Sequence, residues 1–237
     1  MDHAVLEVAV HGPGDVAGAD SGGADRLHLA GESDRSPEPA TVSSVCRETG
    51  LPVFVLLRLN ESWTTTGGEL TRLGGLAEDY LGCGAAGVSF GFLDGDLEVD
   101  AEVCAHLADR LPGIPWTFHQ AIDATLDAER AWARAVDLPG LVAVRAAGSP
   151  QGLAVGYDEL LDLAERAPRV ARLLMPGEGL LGEHVPWFVR AGVRSFHLGP
   201  QVRPGGTSKA YVDAAHVRSW RLLVDDAVAR VRGARAR

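Results

Sequence analysis

Eight short apolar runs recur along the chain, and each is followed by a longer segment. Their beginnings lie roughly 20 to 35 residues apart, the length of a strand plus a crossover helix. Most are rich in Val, Leu, Ile and Phe, which is typical of parallel strands covered on both faces. The predicted strands are Val5–Val10, Arg26–Ala30, Val53–Arg58, Gly87–Phe92, Ile114–His119, Leu141–Ala146, Val170–Met175 and Ser195–Leu198.

The segments between these strands have helical spacing of apolar residues. The clearer predicted helices are Thr41–Thr49, Glu69–Leu81, Ala101–Leu111, Leu126–Val136, Tyr157–Arg166, Gly182–Ala191 and Val212–Val231. Eight such units predict one α/β domain over residues 1–237, a closed (β/α)8 TIM barrel of the usual length of about 250 residues. A doubly wound open sheet is the alternative. It is disfavoured because no Gly-x-Gly-x-x-Gly follows the first strand.

Charge and cysteine content narrow the function classes. The formal net charge of −10 argues against nucleic-acid binding and against docking on an anionic membrane. Cys46, Cys83 and Cys104 lack paired spacing and fall on predicted helices, which favours packing roles in a reducing cytoplasm. No basic leader precedes the first strand, and no apolar run reaches the ~20 residues of a membrane span. We therefore expect a cytoplasmic protein with a small-molecule or metal partner.

Ionisable residues cluster where the predicted strands end, which is where barrel active sites lie. The candidate catalytic residues are Glu7, Arg58, His119, Asp123 and His197. Glu7 lies inside a strand and needs a cationic partner, for which Arg58 is a candidate. His119 and Asp123 could form a base with its orienting carboxylate. Structural alternatives stay open: an ion pair for Glu7, and a helix N-cap near residue 126 for Asp123.

The loops after the last two predicted strands are rich in glycine. Residues 176–179 read PGEG and residues 199–206 read GPQVRPGG, so the backbone could approach an anion closely. Arg58 could add positive charge to such a site. Glu178 weakens the case for a phosphate.

Several motifs together resemble the CutC family, barrel proteins named for copper homeostasis. The most specific is Thr117–Asp123 (TFHQAID), and the resemblance covers nearly the whole chain. The other matching segments are Glu7 with Gly23–Leu29, Pro52–Arg58, Gly91–Asp100 and Ser195–His197. The resemblance implies a role in copper homeostasis, copper as the cofactor, and a homodimer or higher homo-oligomer.

The chain departs from the family pattern at the strand ends. His28 and Gln120 replace a Glu and an Arg, and Leu59–Ser62 replaces Pro-Arg-Gly-Gly. Many members carry cysteines, natural Cu(I) ligands, near the ends of the first two strands, where this chain has Ala9, Val10 and Ala30. Any metal would then be held by His28, His119 and His197.

Two other hypotheses remain. One is a lyase, isomerase or hydrolase acting on a small anionic substrate, with His119 and Asp123 as the acid/base pair and Arg58 as the anion clamp. The other is a degenerate barrel without chemistry.

Overall fold

Eight parallel strands form one sheet, as seen in a computed structural model that describes residues 3–235. The strands are β1 (Val5–Val10), β2 (Arg26–Leu29), β3 (Val53–Leu56), β4 (Gly87–Phe90), β5 (Trp116–Phe118), β6 (Leu141–Ala146), β7 (Leu174–Pro176) and β8 (Ser195–Leu198). The α-helices are α1 (Val16–Gly22), α2 (Pro39–Arg47), α3 (Gly67–Gly82), α4 (Ala101–Asp109), α5 (Ala128–Ala135), α6 (Leu153–Arg166), α7 (Pro168–Leu173), α8 (Val185–Ala191) and α9 (Ala214–Arg235).

The order of the strands makes the sheet a barrel. Hydrogen-bonded neighbours run β7-β6-β5-β4-β3-β2-β1-β8, every pair is parallel, and the two end strands contact each other. This confirms the predicted (β/α)8 TIM barrel. The predicted bounds of β1, β6 and β8 are also confirmed, while β2 to β5 are shorter than predicted.

Side chains alternate along each strand between the layer under the helices and the interior of the barrel. Leu6, Leu27 and Trp116 are buried in the apolar layer between strands and helices. The intervening positions point to the other face of each strand. There Arg26 contacts the Thr117 hydroxyl across the barrel axis, at 3.4 Å. The barrel interior is therefore partly polar, and the apolar core lies mainly outside the strands.

The seventh unit differs from the prediction. Val170–Met175 was expected to be a strand, but Pro168–Leu173 is helix α7 and β7 begins only at Leu174. Pro168 occupies the first turn of the helix, where its fixed φ and missing N–H favour a helix start. Val170 and Ala171 are buried from this helix, so an apolar run that resembled a strand packs as one helical face.

Helix α1 was not predicted because its sequence is short and rich in small residues. The structure explains this composition. A Cβ on Gly18 would lie 2.0 Å from the Val212 carbonyl oxygen, and one on Gly22 would lie 2.4 Å from Val217 Cβ. Small residues thus allow α1 to pack closely against α9 and the segment before it.

Among the described helices, none combines the length and apolar character needed to cross a bilayer.

Candidate functional site

Glu7 is the fully buried carboxylate at the centre of the barrel. The strand registers place it beside Arg26 on β2 and His197 on β8. Its Oε2 lies 2.6 Å from Arg26 Nε, and its Oε1 lies 2.7 Å from His197 Nδ1. Burial alone would raise the Glu7 pKa, but the charge of Arg26 and the His197 hydrogen bond hold that pKa well below its usual range. Glu7 is therefore ionised and paired.

The predicted Glu7–Arg58 pair is wrong. Arg58 lies at the end of β3, where its Nη1 is 3.5 Å from the Asp34 carboxylate and its guanidinium covers the Trp63 ring at 4.2 Å. Arg26 is the partner instead because β1 and β2 are adjacent in register, whereas β3 is one strand further away.

Arg145 on β6 is the second buried cation. Its Nη1 lies 3.3 Å from His28 Nδ1 and 3.4 Å from His197 Nε2. The residue is only 6% exposed. Unlike Arg26, it forms no ion pair with any carboxylate of the described residues. Its hydrogen-bond partners within residues 3–235 are thus two imidazoles.

These contacts fix the proton positions on the two imidazoles. A guanidinium only donates hydrogen bonds, so His28 Nδ1 and His197 Nε2 are both acceptors. The His28 proton is then on Nε2, a buried atom that has no hydrogen-bond partner among the described residues. The His197 proton is on Nδ1 and is donated to Glu7. Burial, followed by the charge of Arg145, lowers the pKa of both histidines, so both are neutral at pH 7.

A cavity of about 500 Å³ opens above these groups at the C-terminal ends of the strands. We call it the mouth pocket. His28, Arg145 and His197 lie at its base, and residues 177–181 and 199–203 contribute to its walls. Arg203 closes one side through two contacts of 2.9 Å with the Asp15 carboxylate. Asp34 and Glu178 also line the pocket.

His119 lies apart from this pocket. Its Nδ1 accepts a hydrogen bond from Ala121 N at 3.2 Å, and its ring packs edge-on against Trp63. Burial, with a further contribution from Arg145, lowers its pKa to about 3. Arg58 and Trp63 line a small separate cavity with it.

Asp123, in the segment after β5, connects that segment to the backbone of the loop after β6. Its carboxylate accepts hydrogen bonds of 2.9 Å from both Ala147 N and Gly148 N. Burial raises its pKa to about 7, although those two backbone bonds act in the opposite direction. The predicted His119–Asp123 hydrogen bond is absent from the described residues, since each side chain bonds backbone instead. The N-cap of α5 is Asp127, not Asp123.

The five candidate residues therefore do not meet in one cavity. His197 lines the mouth pocket and is hydrogen-bonded to the fully buried Glu7, Arg58 and His119 line the smaller cavity, and Asp123 accepts hydrogen bonds from the backbone of the loop after β6. Arg26 and Arg145 were missed. Each is a charged residue within an otherwise apolar strand, as Glu7 is. Such a charge needs a partner inside the fold, so this pattern could have identified both arginines from the sequence.

The residues present do not fit a copper site. No group of three His, Cys, Asp or Glu side chains within residues 3–235 is arranged to hold a metal, so the predicted set of His28, His119 and His197 is not assembled. The Arg145 guanidinium contacts two of these rings and would repel a cation.

The thiols do not complete such a site either. Cys46 lies on α2, Cys83 is the C-cap residue directly after α3, and Cys104 is buried on α4. None of the three is among the residues that line the mouth pocket. Thiolates are the ligands that select Cu(I).

Comparison with known proteins gives one consistent result. The model of the CutC family matches residues 4–202. A family protein CutC of Xanthomonas campestris pv. campestris is 29% identical over 218 residues, covering 89% of this chain and 88% of that protein. The copper homeostasis protein cutC homolog of Homo sapiens is 28% identical over 201 residues, covering 81% of this chain and 72% of that protein.

Solved structures agree on the fold. The crystal structure of CutC from Streptococcus agalactiae superposes with a TM-score of 0.71 at 18% identity, covering 82% of this chain and 98% of that one. At this identity the likeness shows the fold alone.

Proposed function

Since the chain belongs to the CutC family, we propose that it acts in copper homeostasis by binding a small anionic molecule in the mouth pocket. Copper homeostasis is the role named for its human and Drosophila melanogaster relatives. The observation that carries the proposal is Arg145, a buried guanidinium that lines a cavity of about 500 Å³ and has no carboxylate partner in the part of the chain that the structure describes.

An unpaired buried charge is costly, and an anionic ligand would offset that cost. Two donor atoms support this interpretation. Arg145 Nε and His28 Nε2 are both buried and have no hydrogen-bond partner among residues 3–235, and both side chains line the mouth pocket. A carboxylate suits a guanidinium because its two oxygens can accept two parallel N–H bonds.

The surrounding charges favour a small carboxylate over a phosphate. Glu7 is already paired with Arg26 and His197, so it does not neutralise Arg145. Asp34 and Glu178 line the same pocket and would repel a second negative charge on the ligand. The site therefore suits a ligand with one carboxylate directed towards Arg145.

Calorimetry with acetate, pyruvate and phosphate tests the proposal. We expect a carboxylate to bind the wild type and Arg145→Gln to weaken that binding about 10- to 100-fold, the range for losing a charged hydrogen-bond partner. Arg166→Gln is the matched control, because Arg166 is exposed and paired with Glu129 on the outer surface. Unchanged binding by the Arg145 variant, or no binding by the wild type, would refute the proposed function.

Direct copper carriage gives a separate prediction. We expect Cu(I) binding no tighter than about micromolar, because the described residues place no thiolate pair at the barrel mouth. Competition with a Cu(I) chelator measures this. Stoichiometric binding that is much tighter would show that the chain carries copper itself.

A further inference from the structure

We infer that the mouth pocket binds aliphatic monocarboxylates, in which a hydrocarbon chain longer than that of acetate or pyruvate carries a single carboxylate. This inference rests on the proposed function, because Arg145 holds the carboxylate. It adds the class of ligand, since it states that the part of the molecule beyond the carboxylate is apolar.

Arg145 has one nitrogen available to a ligand. Its Nη1 donates to His28 at 3.3 Å and to His197 at 3.4 Å, and its Nε is enclosed by protein. Its Nη2 bonds to no other residue within 3–235 and is not among the enclosed polar atoms. Arg145 lines the mouth pocket and keeps 6% of its surface exposed. A carboxylate can therefore reach Nη2 without displacing either imidazole.

Two further buried polar side chains, His197 and Arg203, line the pocket but are bonded to other protein groups. His197 donates to Glu7 at 2.7 Å and accepts a hydrogen bond from Arg145. Arg203 donates to both carboxylate oxygens of Asp15, at 2.9 Å each. A polar ligand body beside them would lose its hydrogen bonds to water without gaining replacements.

Gln201 uses both ends of its side-chain amide within the wall of the pocket. Its Oε1 accepts a hydrogen bond from Gly199 N at 2.9 Å, and its Nε2 donates to the Leu180 carbonyl oxygen at 3.2 Å. The second bond connects the loop after β8 to the loop after β7, and both loops line the pocket. Gln201 is therefore a positioning residue that holds the wall together.

Apolar side chains line the pocket from four different segments. Ala9 lies on β1, Ala30 follows β2, Leu181 lies in the loop after β7, and Pro200 follows β8. Leu181 is 52% exposed. A hydrocarbon chain that covers these side chains would remove apolar surface from water, and this removal favours binding.

The size of the pocket also favours a longer ligand. Its volume of about 500 Å³ lies within the range of about 300–1,000 Å³ that is typical of ligand sites. Acetate or pyruvate would fill only a small part of it. The remaining polar residues of the lining are exposed or half-buried, so they can keep their contacts with water while a hydrocarbon chain is bound.

Calorimetry of the full chain with acetate, butyrate and hexanoate at pH 7.5 tests the inference. We expect the affinity to rise about fourfold for each added CH₂, the factor that corresponds to about 0.8 kcal/mol. The heat-capacity change of binding should become more negative as the chain lengthens, because more apolar surface is buried. Hexanol, which lacks the carboxylate, should bind at least about tenfold more weakly than hexanoate does.

Leu181→Ser locates the hydrocarbon chain. Because an apolar contact is lost, we expect this variant to reduce the ratio of hexanoate affinity to acetate affinity about three- to tenfold. Leu222→Ser is the matched control, since Leu222 is 64% exposed on α9 and is not among the residues that line the mouth pocket. The control variant should keep the wild-type ratio.

The outcomes separate this inference from the proposed function. Acetate binding that Arg145→Gln weakens, with hexanoate bound no more tightly than acetate, would overturn the inference and leave the proposed function standing. Equal ratios for Leu181→Ser and Leu222→Ser would also overturn it. Equal affinities for hexanol and hexanoate, or no binding of any of the three carboxylates, would refute the proposed function as well.

Discussion

At the scale of single residues, charges inside the barrel have different partners and therefore different roles. Arg26 is paired with Glu7 at 2.6 Å, whereas Arg145 contacts two neutral imidazoles. Replacing an unpaired buried charge with an apolar side chain of similar volume removes a desolvation cost, but breaking a buried pair leaves the partner uncompensated. The two arginines should thus respond oppositely to the same substitution.

We predict that Arg145→Met raises the melting temperature of the ligand-free protein while it removes anion binding. Arg26→Met is the matched substitution, and it should destabilise by about 3–5 kcal/mol because Glu7 remains buried without its cation. Thermal and urea unfolding of the two variants measure this difference. Strong destabilisation by Arg145→Met would show that this residue is retained for folding rather than for binding.

At the scale of elements, the junction between β6 and α6 includes Arg145 near the end of β6 and the loop whose backbone N–H groups bond to Asp123. Gly148 ends this turn with φ +75°, a left-handed conformation that favours glycine. A Cβ on Gly156 of α6 would lie 2.3 Å from the Ala147 carbonyl oxygen. The first turns of α6 can therefore approach the end of β6 only because that helix position has no side chain.

We predict that Gly156→Ala destabilises the protein by at least about 1–3 kcal/mol, because the methyl group meets rigid backbone. Gly75→Ala is the control, since Gly75 is also a helical glycine but a methyl group there would have no neighbouring atom within 4 Å. It should stabilise by about 0.5–1 kcal/mol through helix propensity. Urea unfolding midpoints compare the two, and equal effects would argue against close packing at this junction.

At the scale of the whole molecule, buried neutral histidines make global stability depend on pH. The His119 pKa falls from an ordinary 6.5 to about 3 on folding, so below pH 6.5 the unfolded chain binds a proton that the folded chain does not. Stability from this group is complete above pH 6.5 and is lost as the pH falls towards 3. His28 and His197 act in the same direction. Asp123 opposes them, because its raised pKa of about 7 favours folding as the pH falls below 7.

We predict that His119→Gln reduces the loss of stability below pH 6.5 by about 1.4 kcal/mol per pH unit. Urea unfolding at pH 7.5 and pH 5.5 measures this change. His106→Gln, on the exposed face of α4, should follow the wild-type pH dependence. Parallel curves for wild type and His119→Gln would show that His119 is not held neutral by the fold.

Cytoplasmic location and a homo-oligomeric state stay predictions at this scale. Cell fractionation and light scattering of the purified protein would test them.

The sequence alone determined the class of fold and the family. Spacing of the apolar runs predicted eight βα units, because parallel strands need crossover segments of that length. Segments such as Thr117–Asp123 predicted the CutC resemblance. The same pattern failed at Val170, because a short apolar run is equally suited to a strand and to one face of a buried helix.

Only the tertiary structure decided which side chains contact one another. Glu7 meets Arg26 and His197 through strand register, and Arg145 reaches two histidines across the barrel interior. These residues are separated by up to 190 positions, and no local pattern encodes their distances. Register and barrel closure depend on how all strands pack together, so they were beyond the reach of motifs read one segment at a time.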